Sequence, residues 1–570
     1  MRLVLSKSAN AVSFYVIKSL TVNGKRTSKI VEKLGTLVEL KEKLKGRDPY
    51  EWAKKYVEKL NLEEKASKVE VVAKFSSFKQ INKNNQNLFN GGYLFLQHIY
   101  NSLGLPKVCE KISKQSKIKF DLDSILSRLI YARVIYPSSK LTTFNLAKNF
   151  IEQPKFELHQ IYRALEVLSE KSNLIQSSVY KNSLKLSKRN DKVLFYDCTN
   201  YFFEIEQADG LKQYGVSKEH KPNPIVQMGL FMDGDGIPLA FSINKGNSNE
   251  QTTLQPLEKK ILRDFQLSRF VVCTDSGLSS LSNRRFNAIG NRAFITTQSI
   301  KKLKSFLRKW ALDTSGWSLP GNSRIYDISK IDDDKYQNKV FYKERWINEN
   351  NFEQKIIVTY SIKYRNYQRE IRKAQVDRAV NAISRNSSNI SRSSANDYKR
   401  FIKKTSCTNT GEIAEKSVLT LNTEAIEKEA IYDGFYAVCT NLEDGPSSII
   451  EINRKRWEIE ECFRIMKNEF KARPVYLSRD DRIEAHFLTC YLALLLYRLL
   501  EKELDGKHTC NTIIHGLRNM NFYKIEGEGF IPTYRRDDFT DDLHDVFGFR
   551  TDYQIITQRQ LKKIIKSTKK

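Results

Sequence analysis

The sequence lacks closely paired cysteines. Its 570 residues include eight cysteines and no Cys-x2-Cys pair, so neither a zinc ribbon nor a disulfide framework is expected. Cys198, Cys273, Cys462 and Cys490 lie in apolar or mixed segments. We therefore predict that they are small core residues of a protein in a reducing compartment.

The sequence also has no hydrophobic run of the length that a membrane span needs. Its most apolar segment, residues 487–500, is too short and too interrupted to cross a bilayer. The first seven residues lack the apolar stretch of a signal peptide. We therefore expect a cytoplasmic protein that does not contact a membrane.

Acidic residues are scarce relative to basic ones. Lys and Arg number 96 against 66 Asp and Glu, which gives a formal net charge of +30 and a sequence pI of about 9.5. Because binding to phosphates releases counterions, an excess of this size suits a polyanionic partner. Hydrophobic residues make up 40% of the chain, enough for substantial cores, and the length predicts roughly three or four domains. The composition thus indicates a nucleic-acid-binding protein.

Short apolar runs and turn residues alternate from Val193 onwards, which indicates strands. An Asp-Gly-Asp-Gly turn between two apolar runs predicts a hairpin. The predicted elements are a strand ending at Asp197, hairpin strands at 225–232 and 237–243, a helix at 252–262, and strands at 270–273 and 293–296. With a further helix between the last two strands, the order is strand, hairpin, helix, strand, helix and strand, which suits an α/β fold with an RNase H-like mixed sheet.

The remaining segments complete the predicted domain organisation. A helical spacing of apolar residues runs through 122–134, and a Ser/Asn-rich stretch at 384–394 has the composition of a flexible loop. The predicted domains begin with a small N-terminal β/α region at 1–75 and a mainly helical domain at 76–188, which either docks on DNA or is an ordinary helical bundle. A catalytic domain follows at 189–300 and 440–525, with a β-rich insertion at 301–439. The C-terminal segment at 526–570 is predicted to end in a disordered basic tail at 562–570.

Three carboxylates stand out within the predicted catalytic domain. Asp197 and Asp275 each follow an apolar β run, and Glu460 lies on a predicted helix. At 100° per residue, a single helix places four polar residues in one narrow arc beside an apolar stripe. The arc consists of Asn453, Arg456, Glu460 and Lys467, and the stripe of Ile459, Phe463, Met466 and Phe470.

Carboxylates from two strands and one helix suit a pair of magnesium ions. Carboxylate oxygens are the hard ligands that Mg²⁺ prefers, and two ions about 4 Å apart stabilise both the attacking and the leaving oxygen of a phosphodiester reaction. We expect Asp197 to bridge both ions, and Asp275 and Glu460 each to favour one. The predicted phosphate-binding residues are Arg456, Lys467 and Arg464.

Each of these features also has a simpler interpretation. Arg456 and Glu460 are spaced for an i,i+4 ion pair on an amphipathic helix, and a single aspartate after a strand is commonly a turn or cap residue. The combination of two strand-end aspartates with the aligned glutamate favours the metal site. His486, in an apolar helical stretch, is predicted to be a buried core residue, because hard magnesium sites favour oxygen ligands.

At this point the sequence resembles the DDE transposases of bacterial insertion sequences, in the cut-and-paste group with a Tyr-x2-Arg-x3-Glu-x6-Lys signature. Arg456, Glu460 and Lys467 match the signature, and Asn453 takes the position of its tyrosine. Other similar segments are Tyr196 to Phe203, Gly246-Asn247 with Glu250, Arg473-Pro474-Val475-Tyr476 with residues 482–486, and residues 548–553. The resemblance covers roughly residues 100–560.

The resemblance implies a specific activity and set of partners. It implies an RNase H-like catalytic domain, an insertion between the second aspartate and the glutamate, and Mg²⁺ as cofactor, with Mn²⁺ as a substitute. It further implies double-stranded DNA at the inverted-repeat ends and at the target, a synaptic homodimer, often a hairpin intermediate, and a bacterial, nucleoid-associated location. Two alternatives stay open: an RNase H-like nuclease or Holliday-junction resolvase, and a DNA-binding relative that has lost catalysis.

Overall fold

The computed structural model describes the chain except for residues 9–10, 23–24, 45, 47, 68–70, 72, 74, 79, 84, 386–395, 408–412 and 570. The chain forms two compact units. The smaller consists of Met1–Leu88, Tyr523–Pro532 and Thr551–Leu561, and the larger of Phe89–Phe522, Thr533–Arg550 and Lys562–Lys570. All of the predicted site residues belong to the larger unit.

The smaller unit begins with a three-stranded antiparallel sheet followed by two helices. These elements are β1 (Arg2–Ser8), β2 (Ala11–Val22), β3 (Lys25–Thr36), α1 (Leu37–Leu44) and α2 (Pro49–Ser67). Phe14 and Val16 on β2 are buried, as the alternation of side chains along a strand requires when one face is covered. Phe14 packs with Leu40 and Ala53 from the two helices.

Helices form the first part of the larger unit. After β4 (Leu88–Asn90) they are α3 (Tyr93–Ser102), α4 (Leu105–Ser116), α5 (Leu122–Ile135), α6 (Lys140–Leu146), α7 (Leu158–Glu170) and α8 (Ser172–Leu186). The helix predicted from apolar spacing is confirmed as α5, whose residues are almost all buried. Its first turn is capped by the carboxylate of Asp121, which accepts a hydrogen bond of 2.9 Å from the backbone N–H of Ser124.

A ten-stranded mixed sheet dominates the larger unit. Its first half contains β5 (Val193–Phe202), β6 (Ile225–Asp233), β7 (Pro238–Lys245), α9 (Leu254–Lys260), β8 (Val271–Thr274), α10 (Leu281–Asn287) and β9 (Ala293–Thr297). The β6–β7 hairpin pairs antiparallel to β5, whereas β8 and β9 run parallel to it. The predicted order of strand, hairpin, helix, strand, helix and strand is confirmed.

The residues between β9 and the signature segment extend this sheet. They form α11 (Ser305–Leu312), β10 (Trp317–Leu319), β11 (Asn322–Tyr326), α12 (Asp333–Tyr336), β12 (Phe341–Asn348), β13 (Glu353–Tyr360), α13 (Ile362–Ser384), β14 (Ile402–Cys407), β15 (Ile413–Leu421), α14 (Thr423–Ala430) and β16 (Phe435–Thr440). The sheet continues from β9 through β16, β13, β12 and β10 to β11, and β14 pairs only with β15. The predicted Ser/Asn-rich loop lies almost wholly outside the described residues.

Helices again dominate the C-terminal part. Its elements are α15 (Pro446–Arg454), α16 (Trp457–Arg464), α17 (Asp480–Glu503), α18 (Cys510–Asn519), β17 (Asn521–Ile525), β18 (Gly529–Pro532), α19 (Asp538–Phe547), β19 (Ile556–Thr557) and α20 (Gln558–Thr568). In contrast to the expectation from the sequence, helix α17 is by length and composition alone long and apolar enough to cross a membrane, but 94% of its most apolar window is buried inside the protein. It packs against α5, α7 and β7, as the core helix of a globular unit does.

The prediction of a disordered basic tail is wrong. Residues 558–568 form α20, and Leu561, Ile564 and Thr568 on it are buried. Lys569 forms an ion pair with Glu152. The lysines of this segment alternate with apolar residues at helical spacing, so one face of the helix is buried while the charges remain at the surface.

Candidate active site

The two aspartates lie side by side because β5 and β8 are parallel neighbours. Phe195 pairs with Cys273 in the register of these strands. Asp197 lies two residues after Phe195, and Asp275 lies two residues after Cys273. Their side chains therefore leave the sheet at the same level and on the same face. Adjacent strands are about 4.8 Å apart. The sheet therefore brings both carboxylates to one point.

Asp275 is fixed by its own backbone surroundings. Its carboxylate accepts a hydrogen bond of 3.1 Å from the backbone N–H of Leu278 and caps a short 3₁₀ turn. Its carbonyl oxygen accepts a hydrogen bond of 3.2 Å from the hydroxyl of Thr296 on β9. Asp275 is therefore a cap residue, as the simpler interpretation predicts, and its carboxylate has further lone pairs that can bind a ligand.

The environment of Asp197 resists its ionisation. Burial, above all, and the nearby charge of Asp275 raise the pKa of Asp197 to about 6, against the opposing charges of Lys218 and Arg456. Its carboxylate accepts one hydrogen bond, of 2.7 Å, from the backbone N–H of Cys198. Two carboxylates held together in a partly buried site repel each other, and a cation between them would relieve that repulsion.

Lys218 is a further cation beside Asp197 that the sequence analysis did not identify. Its ammonium donates to the carbonyl of Cys198 at 2.5 Å and lies 3.1 Å from a carboxylate oxygen of Glu250. Burial alone would lower the pKa of Lys218, but the charges of Asp197 and Glu250 outweigh it and raise that pKa. The residue comes from the loop between β5 and β6, where the sequence gives no periodic signal.

The signature segment is not the single helix that was predicted. Helix α15 ends at Arg454, α16 begins at Trp457, and a π-helical turn, Ile465–Glu469, follows. At the first junction the backbone N–H of Arg456 donates to the carbonyl of Asn453, and that of Glu458 to Lys455, in i→i−3 bonds. The i→i−3 junction and the π-helical turn both change the angle per residue from the 100° of a regular α-helix. The four polar residues predicted to share one arc of a single helix therefore do not share it.

Arg456 connects the first aspartate with the glutamate. Its charge acts on Asp197, and its guanidinium lies 3.6 Å from a carboxylate oxygen of Glu460. The side chain of Glu460 is 62% exposed. Arg456 thus interacts with both Asp197 and Glu460, and Asp275 acts on Asp197 from the neighbouring strand.

Lys467 belongs to the same charged cluster. Its ammonium lies 3.1 Å from a carboxylate oxygen of Glu219 and 5.4 Å from the ring centroid of Tyr201 on β5. Burial, the largest cause, and the charge of Lys218 lower the pKa of Lys467 to about 8, while Asp197 opposes this change. By contrast, Arg464 pairs with Glu461 at 2.6 Å and lies 3.8 Å from Glu469.

Asn453, at the tyrosine position of the signature, is tied to a tyrosine of another element. It is 7% exposed, and its amide nitrogen donates to the hydroxyl of Tyr436 on β16 at 3.0 Å. That hydroxyl also hydrogen-bonds the hydroxyl of Thr297 at 2.7 Å. Tyr436 is a second residue that the sequence analysis missed, because only the pairing of β16 with β9 brings it to this position.

The donor atoms of the cluster fit a hard divalent cation. Asp197 and Asp275 supply carboxylate oxygens from neighbouring strands, which is the ligand chemistry that magnesium and manganese prefer. The cations beside Asp197, Lys218 and Arg456, are of the kind that bind phosphate oxygens in proteins. The arrangement therefore has the parts needed for metal-assisted chemistry on a phosphodiester.

The sequence matches a known enzyme family over most of the site residues. A family model for the transposase DDE domain matches residues 202–496, just over half of the chain, so the chain belongs to this family of transposases. The match is shorter than the predicted span of 100–560 and begins five residues after Asp197. The family implies a DNA-cleaving and strand-transferring enzyme that uses divalent metal ions.

A cryo-EM structure of the piggyBac transposase synaptic complex with hairpin DNA is also similar. The structural alignment covers 84% of this chain and 84% of the piggyBac chain at 7% sequence identity, with a TM-score of 0.36. Similarity this low supports no conclusion about function. No curated protein matches the sequence.

Proposed function

We propose that this chain is the transposase of a bacterial insertion sequence and moves its element by cut-and-paste transposition. It nicks double-stranded DNA at the inverted-repeat ends and joins the freed 3′-hydroxyls to target DNA. The first half of the large sheet is its RNase H-like catalytic core. The protein works on the nucleoid as a homodimer that holds both ends in a synaptic complex.

One observation carries this proposal. The parallel register of β5 and β8 places Asp197 beside Asp275, and the signature residues Arg456 and Lys467 both lie close enough to interact electrostatically with Asp197. The sequence separates these four residues widely, so their convergence comes from the fold. Family membership supports the same activity.

Each residue of the cluster has a distinct proposed role. Asp197, Asp275 and Glu460 hold two Mg²⁺ ions, for which Mn²⁺ can substitute. When bound, these ions supply an activated oxygen nucleophile and stabilise the leaving oxygen. Arg456 and Lys467 bind phosphate oxygens beside the metals and orient the strand. The chain belongs to the Tyr-Arg-Glu-Lys group, with Asn453 in place of the tyrosine.

Carboxylate-to-amide variants test the proposal. We expect Asp197→Asn, Asp275→Asn and Glu460→Gln each to abolish cleavage of inverted-repeat DNA, because the amides keep the shape but lose the charge that holds the metal. DNA binding in a gel-shift assay should stay near the wild-type level. Two exposed carboxylates serve as matched controls: Glu204→Gln, just beyond β5, and Glu451→Gln, on α15.

The same assay separates the transposase from its alternatives. Joining of a labelled 3′-hydroxyl end to a target plasmid is expected only of a transposase, whereas a nuclease or resolvase would cut without joining. Cleavage at the wild-type rate in one of the three amide variants would remove that residue from the site. A wild-type protein that binds the ends but neither cuts nor joins them would contradict the proposed function.

A further inference from the structure

A second cationic site lies beside the catalytic cluster. A cavity of about 330 Å³ opens between the turn that precedes α6, the segment that follows the π-helical turn, and α17. Its basic lining residues are Arg133, Lys140, Lys471, Arg473 and His486. Within the part of the chain that the structure describes, no aspartate or glutamate lines it.

The ammonium of Lys140 is buried in this cavity without a partner. Lys140 is 5% exposed, and its Nζ has no hydrogen-bond acceptor among the described residues. Lysine is rarely buried unless it is paired, because an ammonium that loses water and gains no partner is strongly destabilised. A buried lysine without an acceptor at the wall of a polar cavity is placed to take up an anion, which would in turn favour its charged form.

The neighbours of Lys140 increase the positive charge of the cavity. Arg133 is buried, and its guanidinium donates to the carbonyls of Phe470 at 3.1 Å and Ser138 at 3.0 Å. These neutral acceptors hold the arginine in place and leave its charge uncompensated. Its Nε also has no partner in the described chain. Two cations therefore face one cavity without a carboxylate between them.

His486 contributes a neutral polar group to the same wall, and the prediction that it is a buried core residue is confirmed. Its Nε2 lies 3.1 Å from the carbonyl oxygen of Ala472. Burial, above all, and the charges of Lys140 and Arg133 hold the pKa of His486 well below its usual value. The serines of the turn before α6, Ser138 and Ser139, add hydroxyls to the lining. Ammonium, guanidinium and hydroxyl donors around one cavity are a chemical match for a tetrahedral oxyanion.

We propose that this cavity binds one phosphate group between Lys140 and Arg133. The group is either free phosphate or a phosphodiester of a bound DNA strand, since both offer the same oxygens to these donors. The identification of the strand as element or target DNA rests on the proposed function, whereas the binding of a phosphate group does not.

The cavity has a contact path to the catalytic cluster. Arg473, at its edge, forms an ion pair with Glu219, and Glu219 in turn holds Lys467 at 3.1 Å. Arg473 at the cavity and Lys467 of the catalytic cluster therefore share Glu219 as a partner. This proximity favours the DNA backbone as the source of the group.

Thermal unfolding with inorganic phosphate tests the site independently of DNA. At constant ionic strength set with chloride, added phosphate should raise the melting temperature of the wild type along a saturating curve, because a ligand of the folded state stabilises it. In Lys140→Met, which keeps the side-chain length and removes the charge, phosphate binding should weaken at least about tenfold. Lys471→Met, at the exposed rim, should weaken it less.

Lys155→Met, at an exposed lysine that does not line the cavity, is the matched control and should respond to phosphate as the wild type does. A melting temperature that rises equally in all variants would reflect general salting-out and would overturn the proposal. So would a wild type without a saturable phosphate response, whether or not Lys140→Met folds.

End DNA with single methylphosphonate substitutions identifies the source of the phosphate. If a strand phosphate enters the cavity, neutralising one position should weaken wild-type binding severalfold and have little effect on Lys140→Met. If no position depends on Lys140 while inorganic phosphate still binds, the cavity holds a free phosphate group. If the protein binds phosphate but never cleaves DNA, the cavity stands and only the proposed function fails.

Discussion

Replacing Lys140 with methionine should stabilise the protein when no phosphate is present. The ammonium is buried without an acceptor, and Arg133 adds a second positive charge nearby. Methionine fills a similar volume and carries no charge, so it removes the unfavourable burial and retains the packing. Most substitutions in a protein core destabilise it, so a gain in stability at this position would be diagnostic.

The magnitude follows from the ionisation of the lysine. Burial, the largest cause, and the charge of Arg133 lower the pKa of Lys140 from 10.5 to about 7. At about 1.4 kcal/mol per pKa unit, charging this lysine in the folded state costs at most about 5 kcal/mol. Relaxation around a buried charge reduces such costs, so we expect a gain of about 2 to 3 kcal/mol. For a unit of roughly 460 residues, this corresponds to an increase of about 2 to 3 °C in melting temperature.

The pH dependence gives the prediction a second test. Between about pH 7 and 10.5 the unfolded chain holds a proton on Lys140 that the folded chain has lost, so wild-type stability rises with pH across this window. Methionine has no such proton. The advantage of Lys140→Met should therefore be largest below pH 7 and should shrink towards pH 10. Of the other titratable groups that act on this lysine or lie beside it, His486 is already neutral in this window because burial holds its pKa well below the usual value, and burial raises the pKa of the Cys490 thiol above its usual value.

Melting curves of wild type, Lys140→Met and the control Lys155→Met in phosphate-free buffer at pH 6.5 and 9 provide the measurement. A Lys140→Met variant that melts below the wild type, or a difference that is the same at both pH values, would refute the reasoning. In the first case the ammonium would have a stabilising partner, and in the second it would not titrate in the folded state.

Three further predictions concern the cluster and the DNA surface. Arg456→Ala and Lys467→Ala should bind end DNA almost normally but slow cleavage by roughly 30- to 1000-fold in single-turnover assays, since one positioned charge is worth about 2 to 4 kcal/mol. Lys455→Ala, at an exposed neighbouring residue, is the control and should cleave normally. Equal cleavage rates in all three variants would contradict the proposed phosphate-binding roles of Arg456 and Lys467. DNA affinity should fall steeply with KCl, with a slope of about −0.9 per phosphate contact, and a flat response would show that the basic charge is not the binding surface. Tyr436→Phe should lower the free energy of unfolding by about 1 to 3 kcal/mol, because Asn453 loses its hydrogen-bond acceptor, and an unchanged denaturant midpoint would argue against this contact.

The strand-end aspartates could be predicted from the sequence because the signal is local. An apolar β run that ends in an aspartate stays recognisable in any protein context, and two such runs joined by a crossover place their carboxyl ends at the same edge of a sheet. The order of elements from β5 to β9 was predictable for the same reason. What the pattern could not give is the register, which sets Asp197 level with Asp275.

The signature helix could not be predicted in detail because its irregularities leave no compositional mark. Neither proline nor glycine interrupts the segment between α15 and the π-helical turn. The tight junction at Arg456 and the wide turn at Lys467 depend on how this segment packs on the sheet. Periodicity assumed one straight helix and therefore placed Glu460 and Lys467 on a common arc, whereas the structure pairs them with Arg456 and Glu219 respectively.

The cavity at Lys140 could not be predicted from the sequence for a different reason. Its walls come from α5 and the turn before α6, from the segment after the π-helical turn, and from α17, and more than 300 residues separate Arg133 from the carbonyl of Phe470 to which it donates. A lysine after a Pro-Ser-Ser turn has the composition of a solvated loop. Only tertiary packing shows that its ammonium is buried.

The position of Arg456 suggests how the cluster changes when DNA arrives. In the protein alone, Arg456 lies between Asp197 and Glu460 and supplies the positive charge that both carboxylates lack. A DNA phosphate offers Arg456 another anion, so a bound strand competes with Glu460 for this guanidinium. Arg456 would then hold the phosphate beside Asp197, and the carboxylate of Glu460, whose side chain is 62% exposed, would be released to bind another cation.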